Sequence, residues 1–331
     1  MTRLLVTGGC GFIGSNFVNH WLKNHPDDSV VNLDKMTYAA DEKYVDESLR
    51  NKNYSFVRGD IADKELVMSV TEGIDTVVNF AAESHVDNAI NEPSAFVRSN
   101  YLGVSNLLEA ARKRDLRFHQ ISTDEVYGSL SLDSSDKFGY DSCYNPRNPY
   151  SATKAAADLL VRAYFITYGI RMTISNCSNN FGPHQHPEKL VPKTILNAVQ
   201  NLKIPLYGDG KQVRDWIYVD DHVRGIEFIL EKGKIGESYL ISAENERRNV
   251  EVVSEILRLL KKDKSLIEFV SDRPGHDVRY ALDSSRLRSM GWAPRYEFQN
   301  ALEETVRHYL EKFDLYSKKA MGRVRKRFSV L

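Results

Sequence analysis

Cysteine is scarce: Cys10, Cys143 and Cys177 are the three in 331 residues, widely spaced and never in a CxxC pair. That excludes a disulfide framework and a cysteine-built zinc site, and it implies a reducing compartment. His184 and His186 stand two apart without a Cys or carboxylate cluster and read as a polar loop, so no metal is expected. No run of about 18 apolar residues occurs, and Leu4-Leu5-Val6 is broken at once by Gly8 and Gly9, so neither a membrane span nor a signal peptide is expected. A cytoplasmic protein with no membrane partner follows. Internal repeats and low-complexity segments are missing as well. There is no excess of either charge, with 45 Lys+Arg against 45 Asp+Glu. Six of the bases (Lys318, Lys319, Arg323, Arg325, Lys326, Arg327) follow residue 317, where no acid does, leaving 39 bases to 45 acids before it. A mildly acidic body is a poor duplex binder, so nucleic acid is not an expected partner, and the basic tail reads as a solvated extension.

What is present is a rhythm. Short apolar runs recur at Leu4–Thr7, Val30–Asp34, Tyr54–Val57, Thr76–Phe80, Phe118–Ser122 and Met172–Ser175. Helically spaced segments lie between them: Phe12–Leu22, Glu65–Val70, Val97–Arg112 and Ala155–Phe165. Continuous rather than alternating runs, separated by helices, predict strands buried on both faces of a doubly wound parallel α/β sheet. After about residue 176 prolines and the Gly208-Asp209-Gly210 turn loosen the pattern. The expected division is a Rossmann-type domain over 1–176, a smaller mixed α/β substrate part over 177–315 with a strand possible back to the sheet, and the tail 316–331.

The first run opens into Gly8-Gly9-Cys10-Gly11-Phe12-Ile13-Gly14. Gly8 suits a tight turn, Gly11 lets a pyrophosphate approach the backbone, and Gly14 lets helix and strand pack closely, with the phosphates at the positive helix end. Ser15 in place of Lys excludes a Walker-type loop. Asp34 stands 20 residues beyond Gly14, where a carboxylate accepts from a ribose diol and repels a 2′-phosphate, favouring NAD over NADP. Asp60 and Ile61 fit an adenine edge, and Ala81 and Ala82 are small enough for a dinucleotide to pass.

Tyr150 and Lys154 form a YxxxK pair, which on a helix shares one face. A tyrosine acting as base near neutrality needs a shift of about three units, roughly 4 kcal/mol, which Lys154 and a positive nicotinamide together would supply. On a surface helix such a pair is often coincidence; after a nucleotide loop it marks a proton acceptor for alcohol oxidation.

Together GxxGxxG and YxxxK resemble the extended short-chain dehydrogenase/reductase family. More narrowly, Thr123-Asp124-Glu125-Val126-Tyr127-Gly128 resembles the strand-end motif of dTDP-glucose 4,6-dehydratases. Further similar blocks are Asp34–Tyr38, Ala81–Asp87, Cys177–Pro183, His186–Leu190, Arg214–His222 and Arg273–Asp277. The resemblance implies Thr123, Asp124, Glu125, Tyr150 and Lys154 as catalytic residues, Glu125 as base at C5 of a hexose and Asp124 as protonated acid at C6. It implies NAD held also by Phe12, Ile13, Lys35, Thr37, Phe80, Ser99 and Asn180, besides Tyr150 and Lys154. For a nucleotide-diphosphate sugar it implies Ser84, Thr123, Asn179, Lys189, Leu190, Pro205, Tyr207, Arg214, Asn249, Arg273 and His276, the arginines as forked diphosphate donors.

Adjacent strand residues face opposite ways, so Asp124 and Glu125 reach one sugar only if the chain leaves extended geometry at Asp124. The bland reading of the pair is a helix N-terminal acid pair favoured by the dipole. The rivals are a 4-epimerase or decarboxylase of the same family and an NAD-sensing scaffold without turnover; the acid pair argues against the first group and the full catalytic set against the second. Segment 130–149 lacks the family's Glu-containing turn, which leaves its conformation open. The low charge of the helices Val97–Arg112 and Ala155–Phe165 fits either sheet cover or the paired bundle of a homodimer, which the resemblance implies.

Overall fold

Branched, uncharged runs in the first half place their backbones side by side. The computed structural model describes residues 1–272 and 274–328, with side chains for all of these but Glu47 and 321–328. Its first six strands are β1 Arg3–Thr7, β2 Ser29–Asp34, β3 Tyr54–Arg58, β4 Thr76–Asn79, β5 Arg117–Thr123 and β6 Arg171–Cys177. The later ones are β7 Asn179–Phe181, β8 Ile204–Tyr207, β9 Val213–Tyr218, β10 Ser238–Ile241, β11 Glu246–Arg248 and β12 Ile267–Val270. The main sheet runs β10-β6-β5-β4-β1-β2-β3, all neighbours parallel. β10 therefore returns from the second half to the sheet edge. β11-β9-β7 and β12-β8 form two smaller sheets.

Alternation along β1 feeds two cores. Leu4 and Val6 pack with Phe17 and Trp21 of the Phe12–Asn24 helix and with Val223, Ile226 and Ile229 of the Val219–Lys232 helix. Leu5, on the opposite face, packs with Val77, Phe118, Leu107, Leu108 and Val161. Helices on both faces leave a crevice above β1 and β4, where the strand order reverses direction, the place such sheets offer to ligands.

Two local outcomes differ from the sequence reading, and a third settles a segment it left open. The single helix expected over 97–112 opens into wide π-type turns at Val97–Gly103 before α-geometry resumes at Val104–Arg114. Segment 130–149 is largely exposed but pinned at several points: Phe138 N–H donates to the Ala281 carbonyl, Asn145 N–H to that of Val126, and Phe138 stacks on Tyr127. The expected solvated tail begins inside a helix, Phe313–Phe328, whose Tyr316 is fully buried. Lys319 Nζ reaches both Asp41 and Tyr44 OH at 2.9 Å. The tail's charge pattern hid this because its aromatic anchors, Phe313 and Tyr316, precede the basic run.

Candidate active site

The cofactor end is built by backbone. Gly8 has φ +72°, and a Cβ there would sit 2.7 Å from Ala81 N, so β1 and β4 loops touch through a missing side chain. A Cβ on Gly14 would run into the Gly8 carbonyl. The Phe12–Asn24 helix begins at Gly11 with no side-chain cap and no acid in its first turn, which leaves its first N–H groups and dipole for an external anion. Asp34 is held in place by Cys10 N–H (2.9 Å) and Met36 N–H (2.7 Å). Burial lifts its carboxyl above the ordinary range against those two donors. Asp60 accepts from Ala62 N–H and pairs with Lys35 at 2.9 Å. The π-type turns aim Ser99 at the same space and clamp Asn100 onto Glu83, whose N–H donates to Asn100 Oδ1 (2.9 Å) while Asn100 Nδ2 donates to the Glu83 carbonyl (3.0 Å).

The catalytic end rests on a change of backbone. β5 stops at Thr123, and Asp124–Tyr127 turns as a 3₁₀ segment capped by Thr123 Oγ1, which accepts from Glu125 N–H at 3.3 Å. Asp124 and Glu125 thereby open to one cavity. Asp124 is nearly sealed; Oδ1 accepts from Thr123 Oγ1 at 3.1 Å and Oδ2 has no partner among the described residues. Burial, then the Glu125 charge, pushes its carboxyl well above the usual range. Glu125 Oε2 accepts from Asn148 Nδ2 at 3.2 Å.

Asn148 also caps the Pro149–Tyr168 helix in a capping box with Ser151, which fixes where Tyr150 and Lys154 point. Burial, then Glu125, raises the Tyr150 hydroxyl well above its ordinary value, a rise that a Thr123 hydrogen bond opposes. Lys154 Nζ donates to the Ile121 carbonyl at 2.7 Å.

Every residue expected to hold the cofactor, all five expected catalytic residues, and Ser84, Asn179 and Lys189 line a single cavity of about 320 Å³. Its glycine cradle, uncapped helix and buried Asp34 carboxylate fit a dinucleotide. Leu190, Pro205, Tyr207, Arg214, Asn249 and His276 are not in that lining. Three of these form a neighbouring polar wall instead. Arg214 is buried, donates to the Val213 and Asp277 carbonyls (both 2.8 Å), lies 3.1 Å from His276 Nε2 and stacks over Tyr280. His276 pairs with Asp272 at 2.6 Å, and Tyr207 OH donates to Asp87 at 3.2 Å. The wall meets the acid pair: the Arg214 charge acts on Asp124, and Tyr280 feels Glu125 and Asp124. Arg273 lies outside the described residues.

Sequence reasoning passed over Glu83, Gln185, His186 and Glu188, which also line the cavity, and Asn148, which orients Glu125. Glu83, His186 and Glu188 sat inside blocks already noted for resemblance. Asn148 was findable as an N-cap before Pro149.

Known proteins fit this geometry. A dTDP-glucose 4,6-dehydratase of Mycobacterium tuberculosis is 50% identical over 312 residues, 93% of each chain. The low-salt glycan biosynthesis protein Agl12 of Haloferax volcanii is 49% identical over 308 residues, 93% of this chain and 98% of that one. Among solved structures, DesIV from Streptomyces venezuelae, a dTDP-glucose 4,6-dehydratase with NAD bound, superposes with a TM-score of 0.93 at 42% identity, covering 96% of this chain and 100% of that one. The UDP-glucose 4-epimerase of Thermus thermophilus, with NAD, gives 0.86 at 28% identity, covering 93% and 99%. Since residues 5–305 match the family described as GDP-mannose 4,6 dehydratase, and the relatives span nearly the whole fold just described, the chain belongs to that family.

Proposed function

We propose that the protein is an NAD-dependent dTDP-glucose 4,6-dehydratase, a hydro-lyase that converts dTDP-glucose to dTDP-4-keto-6-deoxyglucose and water. The observation that carries this reading is the 3₁₀ turn at Asp124–Tyr127, which opens two adjacent carboxyls to the cavity that also holds Thr123, Tyr150 and Lys154. A 4-epimerase removes no water and has no work for that pair.

Gly8, Gly11 and Gly14 would cradle the dinucleotide, Asp34 its adenosine ribose, and Asp60 and Ile61 its adenine. Bound there, it supplies the hydride acceptor at C4 and the hydride returned to C6. Tyr150 takes the C4 hydroxyl proton as the ketone forms, with Thr123 hydrogen-bonded to the same oxygen. The ketone acidifies C5, and Glu125 removes the C5 proton. The C6–O bond then breaks as Asp124, kept protonated by burial, gives its proton to the departing hydroxyl, which leaves as water. Glu125 later returns its proton to C5. Ser84, Asn179 and Lys189 serve the sugar end, while Arg214, Tyr207 and His276 receive the diphosphate and base by exchanging their present partners, and Asn249 offers an unsatisfied Oδ1. Arg273, Leu190 and Pro205 complete that reading by resemblance.

The protein acts in the cytoplasm as a homodimer. Among the described residues no helix is long and apolar enough to cross a membrane. Val97, Tyr101, Leu102, Leu159, Ile166 and Tyr168 leave exposed apolar surface on the two helices expected to pair. Incubation with dTDP-glucose, followed by mass, tests the activity: loss of one water is expected, abolished in Glu125→Gln. A 4-epimerised sugar of unchanged mass overturns it.

A further inference from the structure

Asp158 lies one helical turn beyond Lys154 and two beyond Tyr150, on the same face of the Pro149–Tyr168 helix, and has no exposed surface. A carboxylate so deeply placed needs donors. Oδ2 accepts from Ser122 Oγ at 2.5 Å, Tyr144 OH at 3.2 Å and Asn176 Nδ2 at 3.3 Å, while Oδ1 has no hydrogen-bond partner among the described residues. Asn176 Nδ2 also donates to the Thr123 carbonyl, and Ser122 precedes Thr123, so the carboxylate is tied to the strand end that launches Asp124 and Glu125. Lys154 Nζ is buried and bonded to a neutral carbonyl, and among the described residues no carboxylate stands within ion-pair distance of it.

We propose that Asp158 is a positioning residue of the catalytic site: the buried counter-charge that keeps Lys154 an ammonium, and through it lets Tyr150 act as base. This rests on the dehydratase reading for its purpose and its kinetic test, but not for the tyrosine titration. Burial lowers Lys154 and raises Asp158, and each is the leading group acting against the other's shift. The surroundings offer no substitute. Glu125 and Asp124 from the turn after β5 and Cys177 at the end of β6 raise Tyr150, and the helices Val86–Asn91 and Pro93–Phe96 present Val86, Ala89 and Phe96 to it. Tyr127 and Tyr144 face Asp158 and are themselves raised by burial, and Arg162, a turn beyond, acts on both tyrosines. Of these, only Asp158 and Cys177 support the Lys154 charge, and burial pushes the Cys177 thiol up to about 12, which keeps it neutral.

Asp158→Asn, in the NAD-loaded protein, should move the acid limb of kcat/KM alkaline by roughly one to two pH units with KM little changed, and Asp158→Glu should restore most of it. The tyrosinate ultraviolet titration of the same variant, read as a difference from Asp158→Asn combined with Tyr150→Phe, should shift the same way without any substrate. If both stay where the unsubstituted protein has them and only Tm falls, Asp158 is merely structural and the proposal fails. Should Asp158→Asn not fold, nitrogen NMR of the lysines in the unsubstituted holoprotein decides, with Lys154→Arg for assignment. A charged Lys154 at neutral pH supports the proposal, and a neutral amine overturns it. A negative product assay with an intact tyrosine shift would instead count against the substrate reading alone.

Discussion

On the sheet side of the cleft, Asp124 Oδ2 and Asp158 Oδ1 are buried without a hydrogen-bond partner among the described residues. On the C-terminal side the polar groups hold one another: Arg214 with Val213, Asp277 and His276, His276 with Asp272, Tyr207 with Asp87. The sheet wall keeps proton-handling groups in states that water would not allow, at a cost in stability. The second wall has unsatisfied atoms too, Asn249 Oδ1 and Asp277 Oδ1, but its cation and rings are bonded to one another and must trade internal bonds for ligand bonds. Chemistry should therefore fail when the first wall is changed, and affinity when the second is.

The sharpest break is Asp124→Asn. Loss of the C6 acid should cut dehydration about 10²- to 10⁴-fold. Because burial raises Asp124, the folded protein binds a proton that the unfolded chain releases, so this group's contribution to stability falls as pH rises above the ordinary carboxyl range. The amide cannot ionise, so Tm at neutral pH should rise as activity disappears. The same sign makes the unsubstituted rate fall on the alkaline side, as Asp124 loses its proton. Calorimetry beside a pH–rate profile checks both; a Tm below the unsubstituted value breaks the contrast between the walls.

Arg214→Lys tests the other wall while keeping the charge that acts on Asp124. Lysine lacks the fork, and one lost charged hydrogen bond is worth about 1.5 to 3 kcal/mol, so KM should rise roughly 10- to 100-fold with kcat nearly kept. A comparable fall in kcat would place Arg214 in the chemistry instead.

How much of this the sequence disclosed divides along the same line. The first six strands and the glycine cradle were legible because spacing and residue type alone dictate them: Gly8 and Gly14 sit where a Cβ would collide. The 3₁₀ turn at Asp124 was legible as a requirement, not as an observation. The π-type turns at Val97–Gly103 were not, since helical periodicity over 97–112 does not show one widened turn. Asp158 was invisible because nothing local distinguishes a buried helix carboxylate from a solvated one. The second wall was named only through resemblance, as its residues come from β8, β9 and the loop after β12, far apart in sequence.

A smaller test concerns a latch away from both walls. Glu227, on the Val219–Lys232 helix, meets His20 and His25 of the first helix and its cap at 2.8 Å each. Against the burial that would raise it, hydrogen bonds from both histidines hold Glu227 down to about 2. A carboxyl lowered on folding stabilises above its unfolded pKa, about 4.3, and the gain disappears as pH falls through the folded value. Glu227→Gln should thus lower the unfolding free energy read from urea titration at neutral pH, by no more than about 1 kcal/mol for a part-exposed pair. The deficit should shrink between pH about 4.5 and about 2. Turnover should be unchanged, since the latch joins the two halves on helices behind the cleft; altered kcat would mean that the fit of one half against the other, and not the walls alone, sets the geometry of the acid pair.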